Sequence, residues 1–469
     1  MMMLEAAAEM LGVGVPVLRF LVCFLASIPC SWLWRYVPSP TARHFYAAVT
    51  GALLSYFSFG AASNVYFAAL MLVSYTSMLV SRRHCGIITF VISFAFLITC
   101  HVMYMSGDKW RQGGIDSTGA MMVLTLKVTS AAINYQDGLI KDEDSLRHAQ
   151  KQYRLKELPS PIAFTGYCLN CGTHLVGPVF EIKDYMDWTE GKGLWSPTAA
   201  MPPPSPYKFA MVAVFKGFLF MVICMYLMTH VPTQQLYEPE YLTWGLWHRI
   251  AYQYLCAFTL RWKYYFAWSL SEASMIISGF GFSGWTKALP SEEPQPKWTR
   301  AKNVDILRVE LPRSAVELPH HWNIHVGIWL RHYVYERLTK KGEKPGFMQL
   351  LAAQVTSAVW HGLYPGYILF FVNTAFMITG ARALYRWQKS LPEKAALAWR
   401  VVILVNMIYA ILVANLTCIA FLVLHFDDTM AAFRSVYYIG TVVPVLVTIL
   451  GSVSKLPRAE TKPRVKKEE

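Results

Sequence analysis

The chain has 469 residues, of which 55% are hydrophobic and only 15% charged, and its mean hydropathy is +0.32. A soluble globule carries about 25% charged residues, so that class is excluded. The formal charge of +14 fits cytosolic loops facing anionic headgroups, which the positive-inside rule produces by itself, and also fits a phosphate-bearing substrate; the expected partners are membrane lipids, not nucleic acid.

Apolar runs near the ~18–20 residues that cross ~30 Å of hydrocarbon recur along the chain. The cleanest cover 15–33, 86–103, 209–228, 401–424 and 436–450. Shorter or more mixed runs cover 47–59, 65–80, 120–132, 244–260, 266–282, 348–359 and 364–378. They predict an all-α, polytopic transmembrane helical bundle of about eleven spans, some short runs being re-entrant or buried. One integral membrane domain over 1–469 is expected, without internal repeat. The first run is Trp-rich and lacks a basic segment before it, unlike a cleaved signal. Glu5 and Glu9 precede it, whereas Arg35, Arg43 and His44 follow it. The N-terminus is therefore expected outside, with the first loop and the basic tail 455–469 in the cytosol.

Nine cysteines are scattered, with Cys168 and Cys171 the one close pair. A zinc site needs a second pair, so buried thiols are expected and no metal. The sequon Asn415-Leu416-Thr417 lies mid-span, out of reach of glycosylation. Three polar stretches interrupt the runs. Residues 141–158 are charged and helix-prone, and are expected on the membrane surface. Residues 181–207 contain a Pro-rich loop. Residues 287–322 hold too many prolines for a long helix.

The next stretch, "NIHVGIWLRHYVYERL" (323–338), reads as a helix in which Asn323, His325, Arg331, His332, Glu336 and Arg337 alternate with Trp, Ile, Val and Tyr. It is too polar for lipid and too apolar for water, which suits the wall of an internal cavity. Asn323 at its start is either a helix N-cap or a site residue. His321 and His325 stand four apart, on one helical face, without the glutamate of a zinc motif. "GFGFSG" (279–284) matches a dinucleotide fingerprint by letter only; small residues for helix packing are expected there. "RWKYYFAW" (261–268) is either an interfacial anchor or a headgroup contact. In "SAVWHGLYPGY" (357–367), His361 lies inside a strongly apolar region. A histidine at bilayer depth marks a pathway or site by default. Gly362, Pro365 and Gly366 break the helix beside it, and a neutral imidazole is a suitable general base.

Together these elements resemble the membrane-bound O-acyltransferase family. Trp360-His361-Gly362 followed by Pro365-Gly366-Tyr367 resembles its signature in the lysophospholipid branch. "RWKYYFAW" is similar to that branch's R-x-K-Y-Y-x-x-W element, and "HHWNIHVGIWLRHYVYERL" to the region holding a second functional residue, an Asn. The blocks "YMSGDKWRQGGIDSTGA" and "SEASMIISGFGFSGW" resemble the plant-type lysophosphatidylcholine acyltransferases. The resemblance covers nearly the whole chain. It implies a chamber enclosed by the bundle, with His361 and Asn323 catalytic. It implies substrate handling by Arg261, Lys263, Tyr264, Tyr265 and Trp268, and by Trp360, Tyr367, Arg331 and His332. The implied reaction moves a fatty acyl group from acyl-CoA, a co-substrate with no further cofactor, to a lysophospholipid. "KKEE" (466–469) resembles a dilysine retrieval signal, which implies the endoplasmic reticulum. The alternatives are another acceptor, such as a sterol, diacylglycerol or protein, and a transporter with His361 in a proton relay. The PGY element favours lysophospholipid, and a transporter predicts inverted repeats that the chain lacks.

Overall fold

Small residues and prolines set the helix boundaries. The Ser39 hydroxyl accepts the Ala42 N–H at 3.3 Å, with Pro40 at the first helical position; both features favour a helix start. Gly60, at φ +88°, then ends that helix and opens the next. The computed structural model describes residues 2–104, 114–198, 201–286, 293–391 and 396–454. Its principal helices are α1 (Val15–Trp34), α2 (Pro40–Phe59), α3 (Ala61–Val80), α4 (Cys85–Tyr104), α5 (Thr118–Asp137), α6 (Tyr207–His230) and α7 (Leu246–Ile277). They continue with α8 (Ile324–Leu330), α9 (Phe347–His361), α10 (Pro365–Ser390), α11 (Ala396–Val423), α12 (Phe426–Ser435) and α13 (Ile439–Val453). Two paired strands of two residues form the only sheet among the described residues.

The fold is all-α and polytopic, as expected. Among the described residues, six helices are long and apolar enough to cross a bilayer, or seven if α12 and α13, bent by 77° at their junction, make one span. This count by length and apolarity alone is lower than the about eleven expected from apolar runs, for identifiable reasons. The runs 244–260 and 266–282 are one helix of 32 residues, α7. Helix α9 has only 15 residues. Helix α5 is sheathed by its neighbours. Its Lys127 is fully buried and donates to the Tyr167 and Cys168 carbonyls, at 3.0 and 3.3 Å, and to Thr173 Oγ1 at 2.9 Å. A buried ammonium needs such acceptors.

Several local expectations change. Residues 141–158 form only a 3₁₀ turn, Glu143–Ser145, and the short helix His148–Tyr153. The stretch 323–338 is α-helical only through Leu330 and becomes a π turn at Arg331–Tyr335, a distortion often found at functional sites. His321 and His325 do not share a helix face. His321 ends a short helix, Leu318–His321, and the chain turns at Asn323 before His325. The glycines of "GFGFSG" turn the chain after α7 instead of packing helices: Gly279 has φ +91° and its N–H returns to Ile276 O at 2.9 Å. Cys168 and Cys171 are buried free thiols. The tail 455–469 lies outside the described residues, as does most of the "YMSGDKWRQGGIDSTGA" block.

The molecule has two packed regions. Helices α2 to α5 and the loops over them hold most of the largest hydrophobic cluster, to which α8 adds Val326 and Trp329 and α9 adds Ala353 and Trp360. Helices α7, α9, α10, α11 and α13 pack in the second region, where α10 contacts α9, α11 and α13. The candidate site lies between the helices of this second region.

Candidate active site

Helix α9 stops at His361 because Gly362 follows with φ +140°, a backbone region open mainly to glycine. Pro365 starts α10, and the Gly366 N–H donates to Leu424 O at 2.8 Å. A Cβ on Gly366 would lie 2.1 Å from Ala420 O. Only glycine lets α10 dock this closely on α11. The resulting break presents the His361 ring to a ring of aromatics. Its centroid lies 5.1 Å from Phe371, 5.1 Å from Phe421 and 5.7 Å from Tyr367. Trp360 turns away, donating its indole N–H to Met122 O at 2.9 Å. The Trp360 carbonyl, one of the orphan acceptors of a helix end, takes a hydrogen bond from His101 Nε2 at 3.0 Å.

Asn323 occupies a left-handed backbone conformation, φ 45° and ψ 54°. It sits at the N-cap position of α8, but its side chain makes no capping hydrogen bond. Its Oδ1 instead accepts from Asn303 Nδ2 at 3.1 Å. Asn303 also takes the His325 N–H on its Oδ1 at 3.1 Å and the Ile324 N–H on its carbonyl at 3.0 Å. A β-bridge between Val304 and Trp322, and a bond from Asp305 N to His321 O at 2.9 Å, tie the two strands of this turn together.

Trp322, next to Asn323, is gripped by α7. Its ring centroid lies 4.9 Å from Trp268, 5.4 Å from Tyr264 and 6.1 Å from Tyr265. The "RWKYYFAW" element lies in the middle of α7 and turns part of its aromatic face toward Trp322. Arg261 holds the two carboxylate oxygens of Glu310 at 2.7 Å each and donates to Asn415 Oδ1 at 2.6 Å. Tyr265 donates to the same Glu310 at 2.5 Å. The bidentate pair neutralises Arg261 and fixes the wall.

One cavity collects these groups. It has about 1330 Å³ of empty space counted to its open mouth, and its lining includes Asn323, His361, Arg261, Tyr264, Trp268, Trp322, Ser357, Phe371, Asn415 and Phe421. The surface of this hollow is mostly apolar, with a few polar groups at fixed places, as in many small-molecule sites. Tyr265, Trp360 and Tyr367 stand behind the wall as supports. Lys263 packs its ammonium 5.4 Å from the Tyr264 ring centroid and does not line the cavity. Arg331 and His332 line a separate, more open concavity with Arg147, His148, Glu336 and Lys341. The adjacent Leu330 lines the main cavity. Sequence reasoning missed Asn303, His101, Glu310 and Asn415. The only sequence signal was their polarity within apolar or Pro-rich surroundings.

The model of the membrane-bound O-acyltransferase family matches residues 102–424, which include both Asn323 and His361. The chain belongs to that family. It is 53% identical over 466 residues to Lysophospholipid acyltransferase 2 and to Lysophospholipid acyltransferase 1 of Arabidopsis thaliana, covering 99% of this chain and 99% and 100% of theirs. It is 26% identical over 482 residues to Membrane-bound glycerophospholipid O-acyltransferase 2 of Homo sapiens, covering 97% of this chain and 88% of that protein. As an O-acyltransferase, the protein must bring an acyl donor and a hydroxyl together, and this mostly apolar cavity is where Asn323 and His361 meet.

Proposed function

We propose that the protein transfers a fatty acyl group from acyl-CoA to the free glycerol hydroxyl of a lysophospholipid, with lysophosphatidylcholine as the main acceptor. The observation that carries this reading is that His361 and Asn323, 38 positions apart in the chain, line the same apolar cavity. The similarity to the two Arabidopsis proteins supports the acceptor class. An alcohol is a weak nucleophile near pH 7, and a positioned base contributes about 10²–10⁴-fold. The His361 imidazole accepts the hydroxyl proton as the oxygen attacks the thioester carbonyl. Negative charge moves to the carbonyl oxygen, where the Asn323 amide N–H stabilises it. The C–S bond then breaks, and the imidazolium returns the proton to the leaving thiolate, releasing CoA and a diacyl phospholipid. Holding both substrates in one cavity removes the need for an acyl-enzyme. The aromatics around His361 exclude water, which would otherwise hydrolyse the thioester.

Residence in the endoplasmic reticulum membrane, with segment 455–469 in the cytosol, is part of the same proposal. Protease protection of tagged microsomes checks that orientation. The activity is tested with purified protein, labelled acyl-CoA and a panel of lysophospholipids, a sterol and diacylglycerol. Label in a diacyl phospholipid is the expected result. Label in another acceptor alone would refute the acceptor, and no acyl transfer at all would refute the reading.

A further inference from the structure

The Asn303–Asn323 contact decides which end of the Asn323 amide faces the substrate. An asparagine side chain offers an acceptor at one end and two donors at the other, and the two ends are nearly identical in shape. Here the backbone breaks the ambiguity. The His325 N–H can only donate, so the Asn303 atom 3.1 Å from it must be Oδ1. Asn303 then presents its NH₂ to Asn323, and the Asn323 atom 3.1 Å from that NH₂ must be Oδ1 in turn. With its Oδ1 taken by Asn303, the end of Asn323 left for a ligand is the NH₂, on a residue that lines the cavity. Asn303 is 3% exposed, so water does not compete for these bonds. The left-handed backbone at Asn323 places the side chain against Asn303 instead of over the α8 N-terminus.

Resting on the reading of Asn323 as a catalytic group, we infer that Asn303 is a positioning residue that locks Asn323 as a hydrogen-bond donor toward the reacting carbonyl. The chain of orientation runs from the His325 N–H through Asn303 to Asn323. Asn323 therefore acts on the oxyanion and does not accept the proton of the attacking hydroxyl.

Asn303→Asp separates this role from a structural one. Its carboxylate still accepts the His325 N–H but cannot donate, so the Asn323 amide flips and turns its oxygen toward the substrate. The purified variant should keep its KM and lose kcat at pH 8, approaching the ~10²–10³-fold cost of removing one oxyanion donor. Measured against wild type at the same pH, so that protonation of the His361 base cancels, the deficit should shrink as pH falls, because a neutral carboxyl O–H again donates to Asn323 Oδ1. Asn303→Ser, whose shorter side chain reaches only the His325 N–H, should lose kcat per folded molecule at every pH. A wild-type kcat in folded Asn303→Ser, or a pH-independent loss in Asn303→Asp, would overturn the inference. Should His361→Ala turn over normally, the proposed function falls with it; a dead His361→Ala beside a fully active Asn303→Ser sinks only this inference.

Discussion

Trp268 and Trp322 meet at 4.9 Å with their rings 68° apart, and this edge-to-face contact joins two elements separated by 54 positions in the chain. It holds the residue beside Asn323 against the long helix α7. Three residues of "RWKYYFAW", Tyr264, Tyr265 and Trp268, thus pack on the residue that precedes Asn323. Such aromatic pairs add about 0.5–1.5 kcal/mol beyond burial.

Trp268→Ala is expected to lower kcat more than it raises KM, because Asn323 loses the backing of its neighbour. Loss of a buried indole costs roughly 3–5 kcal/mol, so the detergent-solubilised protein should also melt earlier. Unchanged kcat in a folded Trp268→Ala protein would mean that Trp322 does not transmit position to Asn323.

His361→Ala should abolish acyl transfer while the protein remains in the membrane and monodisperse in detergent. Among the described residues, the ring packs on Phe371, Phe421, Tyr367 and Trp360, so its removal opens the cavity with loss of aromatic packing. Microsomes assayed with labelled acyl-CoA and lysophosphatidylcholine supply the measurement.

Arg261 and Glu310 form a pair whose side chains are 12% and 15% exposed. Among the described residues, Arg261→Ala leaves Tyr265 as the hydrogen-bond partner of the Glu310 carboxylate, and removing one partner of a buried pair costs about 3–5 kcal/mol. The double variant Arg261→Ala/Glu310→Ala should be more stable than Arg261→Ala. A double variant that melts lower than either single would contradict a mainly structural pairing and favour a direct substrate contact by Arg261.

His101→Phe removes the donor from the Trp360 carbonyl at the end of α9. An unpaired buried carbonyl costs about 1–3 kcal/mol, and the turn that aims His361 loosens with it. We expect reduced kcat in His101→Phe and substantial recovery in His101→Gln, whose amide retains an N–H. Equal losses in both variants would assign His101 a role beyond this hydrogen bond.

Gly366→Ala should fail to assemble correctly. The added methyl meets the Ala420 carbonyl at 2.1 Å, and overpacking a dense contact costs roughly 1–3 kcal/mol or more. Measured expression and melting temperature near wild type would show that α10 can shift from α11 without penalty.

Much of this architecture was legible in local pattern. Apolar runs, helix-breaking glycines and prolines, and the ordered motif elements determined an all-helical membrane protein and singled out His361 and Asn323, which line one cavity, because burial in hydrocarbon acts residue by residue along the chain. Pairings between distant residues were not legible. No local rule says that Asn303 orients Asn323, that Glu310 neutralises Arg261, that His101 holds the Trp360 carbonyl, or that runs 244–260 and 266–282 continue as one helix. Local pattern also placed Arg331 and His332 beside the site, whereas the π turn after Leu330 directs them into another concavity. Hydrogen bonds and ring contacts depend on distances of a few ångströms between segments that only tertiary packing brings together.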